Sequence, residues 1–358
     1  MRHRVAQVGV GWRGSVHANA FLELADRFEL VGLCDLDRKK LDAYAEQKRL
    51  PPSLLFEHAD KMLAETRPDV FCFVTQPSVR LPMVELAVKH RVKGLAFEKP
   101  MATSLREAWT ITRLCRENRI KAVVSHQQKY LTSFQKFKET LDRGDIGEVY
   151  RIDATCQASL SQLGTHFVDY VLWANGGRHA RWVVGHAHGR ELLDDSHPAP
   201  NYCMGVFECE NGVRSVVEFG RLAPSHMAKD KYWTDNRMTA YGTHGYVWCD
   251  TDTRWGAFTR SSGGQPTGGA GNGWSAEERT RLQPLYLRDF ANWLDDDAKL
   301  SPCNLEISYH GYEIMTALCL SAMDHIRVDL PLDPSRCADI FARMRRELPD
   351  CPELTQRV

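Results

Sequence analysis

Lys99 stands where an apolar run stops. In the stretch VKGLAFEKPM (92–101), the run Gly94 to Phe97 ends abruptly in Glu98, Lys99 and Pro100. It reads as a buried strand, and charges at a strand's carboxyl end sit where open α/β sheets bind ligands. Pro100 keeps the lysine backbone out of the helical region. An ammonium held there can stabilise negative charge developing on a reacting oxygen. A surface turn with two solvated charges is the competing reading. The second group is His166, in QLGTHFVDYVLWA (162–174). Apolar Leu163, Phe167, Val168, Val171 and Leu172 predict one helix over Gln162 to Ala174 with a broad buried face. Gln162 and His166, four apart, share another face, and Asp169 lies three beyond. An imidazole so placed is either structural or a proton acceptor.

A third set of residues binds rather than reacts. Val5 to Val10 reads as a strand that runs into Gly9-Val10-Gly11-Trp12-Arg13-Gly14, and a helical segment follows from Ser15. A second strand, Phe28 to Cys34, ends in Asp35. Strand, G-x-G-x-x-G, helix, strand and acid in this order form the dinucleotide-binding fingerprint. Gly9 allows the tight turn, Gly11 the approach of a pyrophosphate, and Gly14 close helix packing. The helix start offers N–H groups to the phosphates. Trp12 and Arg13 complete the loop. A carboxylate at Asp35 suits the ribose hydroxyls and repels a 2′-phosphate, which favours NAD over NADP; Arg38 close by could accommodate that phosphate.

These groups need a frame. Further strands at Val70 to Thr75 and Lys121 to Ser125 alternate with helices at Arg38 to Lys48, Leu81 to Lys89 and Leu105 to Asn118. Near-solid apolar strands separated by helices predict a doubly wound parallel sheet, an α/β Rossmann domain over residues 1–125. Thr75 and Gln76, at the end of their strand, line the cofactor cleft with Glu98 and Lys99. From 126 to 358 the texture changes. After a helix at Ser133 to Arg143, a strand at Val149 to Gln157 begins a different pattern. Cys203 to Glu208 and Val213 to Phe219 pair across Asn211-Gly212, and Arg237 to Tyr241 pairs with Gly245 to Cys249. This predicts an α+β domain with a large, mostly antiparallel sheet open on one face, suited to pairing subunits. Gly263 to Gly273 reads as a mobile loop. Helices at Leu285 to Asp296, Glu306 to Ile326 and Ser335 to Leu348 follow, the last a candidate to pack back on the first domain.

Composition narrows the function. The 358 residues are 43% hydrophobic and 26% charged, with no net formal charge. That is the composition of a globular protein without an electrostatic footprint for nucleic acid or an anionic membrane. The apolar run near the amino terminus is too short and too glycine-rich for a signal peptide. No apolar stretch nears the roughly 20 residues of a membrane span. Eleven cysteines without CxxC spacing suggest reduced core thiols in the cytoplasm. His186, His188 and His197 lack placed carboxylate partners, so no metal is expected.

The chain resembles the Gfo/Idh/MocA oxidoreductases, the family of glucose–fructose oxidoreductase and inositol dehydrogenase. The resemblance rests on the loop Gly9 to Gly14, on Glu98-Lys99-Pro100, on Gly164-Thr165-His166 with Asp169, and on Ala240 to Gly245, and it covers roughly Val5 to Ile326. It implies an NAD(P)-dependent dehydrogenase acting on a CH–OH group of a sugar, glycoside or inositol. Lys99 would hydrogen-bond cofactor and reacting oxygen, and His166 would exchange the hydroxyl proton, both at one nicotinamide ring. A branch that oxidises glycosides at the sugar 3-position and an inositol dehydrogenase are the two nearest expectations. Two residues depart from the pattern. Gln162 stands where dehydrogenases of inositols and many sugars have aspartate, and Arg80 stands where histidine often opens the helix. A reductase with tightly held cofactor and a non-catalytic NAD or sugar sensor are the alternatives. Tyr130, Gln157, Gln162, Tyr232, Trp233 and Trp274 are the candidate substrate contacts. A homo-oligomer paired through the second-domain sheet is expected.

Overall fold

The computed structural model describes residues 1–195, 197–227, 233–335 and 339–351. They form two compact units, 1–127 with 278–309, and 128–277 with 310 onward.

The first unit alternates strand and helix: β1 (His3–Val8), α1 (Trp12–Glu23), β2 (Phe28–Cys34), α2 (Arg38–Lys48), β3 (Leu55–Phe56), α3 (Ala59–Thr66), β4 (Val70–Phe73), α4 (Arg80–Lys89), β5 (Gly94–Phe97), α5 (Leu105–Glu117) and β6 (Lys121–Val124). The strands are all parallel, in the order β3-β2-β1-β4-β5-β6. Every residue of β4 and β5 is buried, as strands covered on both faces require. Strand order reverses between β1 and β4, which opens a crevice at their carboxyl ends.

The segment 278–309 belongs with this sheet, although the sequence placed it in the second domain. Its helix Gln283–Asp295 lies so close to β5 that a Cβ on Gly94 would come within 2.9 Å of Phe290 and Leu294. The helix that packs back is therefore this one. The last helix, Ile340–Glu347, stays in the second unit, where Arg345 pairs with Asp194 at 2.7 Å.

The second unit holds α6 (Thr132–Asp142), β7 (Val149–Cys156), α7 (Thr165–Ala174), β8 (Ala180–His188), β9 (Tyr202–Cys209), β10 (Arg214–Gly220), β11 (Asn236–Gly242), β12 (Gly245–Cys249), β13 (Arg254–Thr259), β14 (Pro266–Ala270) and β15 (Val328–Asp329). One sheet runs β14-β13-β12-β11-β7-β10-β9-β8-β15. Only the β7–β10 pair is parallel, so the sheet is mostly antiparallel, as expected. Val247, Cys249 and Ala257 are buried on the side where α6 packs. Tyr241, Tyr246 and Phe258 stand directly opposite one another on the other side, with Tyr246 41% and Phe258 39% exposed.

Two local expectations fail. The glycine stretch 263–273 is not a loop throughout, because β14 pairs antiparallel with β13 as an edge strand. Its glycines permit close approach rather than freedom: a Cβ on Gly268 would lie 2.7 Å from the Trp255 carbonyl oxygen. Pro266, at the first position of an edge strand, is tolerated there. The predicted helix 162–174 is also not one α-helix. Leu160–Gly164 is a π turn and the α-helix starts at Thr165. Hydrogen bonding shifts to i→i+5 in the turn, so α-helical spacing does not carry from Gln162 to His166. Thr165 to Trp173 are all buried, with no exposed face. Among the described residues no helix is long and apolar enough to cross a membrane.

Candidate active site

The glycine loop is braced from beneath. Gly9 has φ +92°, and a Cβ there would meet the Val74 carbonyl oxygen at 2.3 Å. A Cβ on Gly14 would strike the Gly9 carbonyl oxygen at 2.2 Å, so this glycine lets the helix close on the loop itself. Buried Gln7 donates from Nε2 to the carbonyls of Gly9 and Gly14, both at 2.8 Å. Sequence reasoning missed Gln7; a polar residue inside a solid apolar strand was the available signal. Gly11 caps α1 without any side-chain hydrogen bond, which leaves first-turn N–H groups for an anion. Trp12 beside it is 73% exposed.

Asp35 follows β2 with its carboxylate fixed. It accepts from the backbone N–H of Val10 at 2.8 Å and of Asp37 at 2.9 Å. Each oxygen retains acceptor capacity for a ribose hydroxyl. Arg38 is committed elsewhere, to Asp42 at 2.9 Å and Glu57 at 3.4 Å. Thr75 lies just after β4, and its buried hydroxyl has no hydrogen-bond partner among the described residues. Gln76 is exposed. A dinucleotide fits this set: an open loop, an uncapped helix start and a fixed ribose acceptor.

Glu98 and Arg13 serve each other. Glu98 Oε1 lies 3.1 Å from Arg13 Nε and 2.9 Å from His17 Nε2, and Arg13 Nη1 reaches Glu278 at 2.6 Å. Burial pushes the Glu98 carboxyl up, but the Arg13 guanidinium and then His17 outweigh it and hold it at about 2. Gln283 donates to His17 at 2.9 Å and completes this buried network. Its members come from the glycine loop, α1, β5 and the returning segment, so only folding assembles it.

Lys99 follows Glu98 at the carboxyl end of β5 and is joined to Pro100 by a cis peptide. Burial lowers its amine to about 8; Glu98 opposes this, and Arg13 and Arg80 add to it. Arg80 is 1% exposed. It donates to the carbonyls of Thr75 at 3.4 Å and Lys99 at 3.2 Å, and to that of Pro100. Its guanidinium carbon lies 5.9 Å from the Phe97 ring centre.

In the second unit, His166 is buried on α7 and meets a residue the sequence reading overlooked. Tyr170, one turn on, donates its hydroxyl proton to Gln128 Oε1 at 3.1 Å. The Tyr170 oxygen lies 2.9 Å from His166 Nδ1. A neutral imidazole that donates from Nδ1 to that oxygen would carry its lone pair on Nε2. The i, i+4 spacing could have revealed Tyr170. Asp169 forms a buried ion pair with Lys129, whose ammonium lies 5.9 Å from the Trp173 ring centre.

The candidate substrate residues are not alike. Gln157 spends its amide N–H on the Ala223 carbonyl. Tyr130 is buried, and Trp233 is half exposed. Trp274 has a buried indole N–H without a hydrogen-bond partner among the described residues. Gln162 lies in the π turn. Tyr232 lies outside the described residues. Among the described residues no cluster of three His, Cys, Asp or Glu could hold a metal.

Residues 3–126 match the family GFO_IDH_MocA, described as an oxidoreductase family with an NAD-binding Rossmann fold. Over 146 residues the chain is 27% identical to a D-xylose 1-dehydrogenase [NADP(+)] of Haloarcula marismortui, covering 40% of each chain. It is 30% identical to glycosyl hydrolase family 109 protein 1 of Akkermansia muciniphila, over 41% of this chain and 31% of that one. The chain thus spans less than half the length of the curated relatives it matches. An oxidoreductase of Agrobacterium radiobacter, solved with NAD+, L-tartaric acid and magnesium, shares the fold with TM-score 0.76 at 17% identity, over 92% of this chain and 98% of that one. This chain's own strand order, glycine loop and fixed Asp35 agree with the family match, which over residues 3–126 is to an NAD-binding Rossmann fold.

Proposed function

We propose that the protein is an NAD-dependent dehydrogenase that moves hydride between a secondary hydroxyl of a sugar, glycoside or inositol and nicotinamide. The observation that carries this is Lys99: a strand-end amine beside the family's cofactor loop, lowered to about 8. Such an amine is mostly charged at neutral pH yet close enough to exchange a proton. Nicotinamide, when bound, supplies the hydride acceptor. His166, neutral and basic at Nε2, takes the hydroxyl proton. Lys99 holds the oxygen as it gains negative charge. Gln162 cannot take a proton and orients or donates.

The names of the two curated relatives support a carbohydrate. A panel of pentoses, hexoses, inositols and aryl glucosides, followed by reduced-cofactor absorbance with NAD and with NADP, tests the reading. We expect turnover on at least one class and a preference for NAD, from Asp35 and the neutralised Arg38. Bound NAD that no member of the panel reduces would sink the dehydrogenase.

We also place the protein in a reducing, cytoplasmic setting. The ten described cysteines are unbridged and buried; Cys337 lies outside the described residues. The row Tyr241, Tyr246, Phe258 suits pairing with a second copy, because it is an apolar sheet face with α6 on the opposite side. The double variant Tyr246→Lys/Phe258→Lys is expected to lower the mass seen by light scattering. An unchanged mass would remove that face from the assembly.

A further inference from the structure

Arg80 is buried without an ion pair. Among the described residues no carboxylate pairs with it; Glu98 and Glu107 act on it only from a distance. Burial lowers its guanidinium to about 10, so it stays charged at neutral pH. A neutral apolar side chain would fill this space without the desolvation of a cation. The guanidinium is instead spent on main-chain carbonyls of two different strand ends: Thr75 after β4, and Lys99 and Pro100 after β5. Phe97, the last residue of β5, lies against it.

We propose that Arg80 is the positioning residue of Lys99, a rigid fork that ties the β4 and β5 strand ends together and so aims the lysine side chain. This rests on reading Lys99 as catalytic. A planar fork can span several carbonyls at once, where an ammonium acts as a point charge. The charge has a second effect on the same amine. Among the described residues, Glu98 favours the Lys99 ammonium, and Arg13 and Arg80 oppose it.

The test compares Arg80→Met and Arg80→Lys with the wild type. The acylation rate of Lys99 by acetic anhydride, mapped by peptide mass spectrometry across pH, reports its midpoint without any substrate. NADH binding, followed by protein fluorescence, reports the integrity of the cofactor site. In Arg80→Met the Lys99 midpoint should rise by about one pH unit as a neighbouring cation is lost. Turnover of the best substrate in the panel should fall on the order of 10²-fold, as for a reacting group moved by about an ångström. Affinity for NADH should stay within about twofold. Arg80→Lys should keep the midpoint near 8 and still lose most of its turnover, because charge returns and the fork does not. If neither midpoint nor turnover changes in Arg80→Met, the proposal is wrong. Should that variant not fold, Arg80→Gln carries the same two readings. Because acylation needs no substrate, a shifted midpoint in a protein that oxidises nothing in the panel would support Arg80 and sink the dehydrogenase.

Discussion

Lys99→Ala and His166→Ala are each expected to slow hydride transfer by about 10²–10⁴-fold, the range for losing a positioned acid–base or charge-stabilising group. Cofactor should still bind in both, because its main supports are the glycine loop, the α1 start and Asp35, none of which either substitution touches. The two variants should differ in pH dependence. The wild type is expected to lose activity as pH rises through about 8, where Lys99 surrenders its proton. Lys99→Arg should lack that limb, since guanidinium does not titrate there. Stopped-flow reduction of NAD by the best substrate, with NADH titrations alongside, makes the measurement. Near wild-type hydride transfer in either alanine variant would remove that residue from the mechanism.

The second large effect concerns stability. Lys129 and Asp169 form an ion pair with both side chains almost wholly out of water. Removing only the lysine leaves a buried carboxylate without this cation, which typically costs about 3–5 kcal/mol. Lys129→Met should therefore lower the chemical-denaturation midpoint steeply. Lys129→Met combined with Asp169→Leu should recover much of it, because the pair's mutual attraction roughly offsets its desolvation. Equal loss in single and double variants would mean that packing, not charge, is at stake. Asp169 lies on the same helix as His166, so the pair also anchors the turn that presents the imidazole. The single variant is expected to lose activity below its melting transition as well.

Much of the cofactor half was legible because its signals are local. The strand, Gly9 to Gly14, α1, β2 and Asp35 follow one another within one βαβ unit, and each residue's task comes from backbone geometry. Lys99 was legible for the same reason, since an apolar run ending in charges is visible in ten residues. The half proposed to be catalytic was harder. The histidine could be named from resemblance, but the π turn before it broke the spacing that tied it to Gln162. Tyr170, whose hydroxyl lies 2.9 Å from the imidazole Nδ1, was not singled out.

From the sequence alone came the parallel sheet, the antiparallel second sheet, the loop that receives a dinucleotide, and the two side chains proposed to do the chemistry. Periodicity and turn residues encode these within short windows. Only the tertiary structure decided what surrounds them. Glu98 meets Arg13 and His17, and Arg13 in turn meets Glu278, from three separate stretches, Arg80 grips two strand ends, and a helix some 190 residues on covers Gly94. Such contacts have no periodic trace, because burial and charge pairing join residues that the chain keeps far apart.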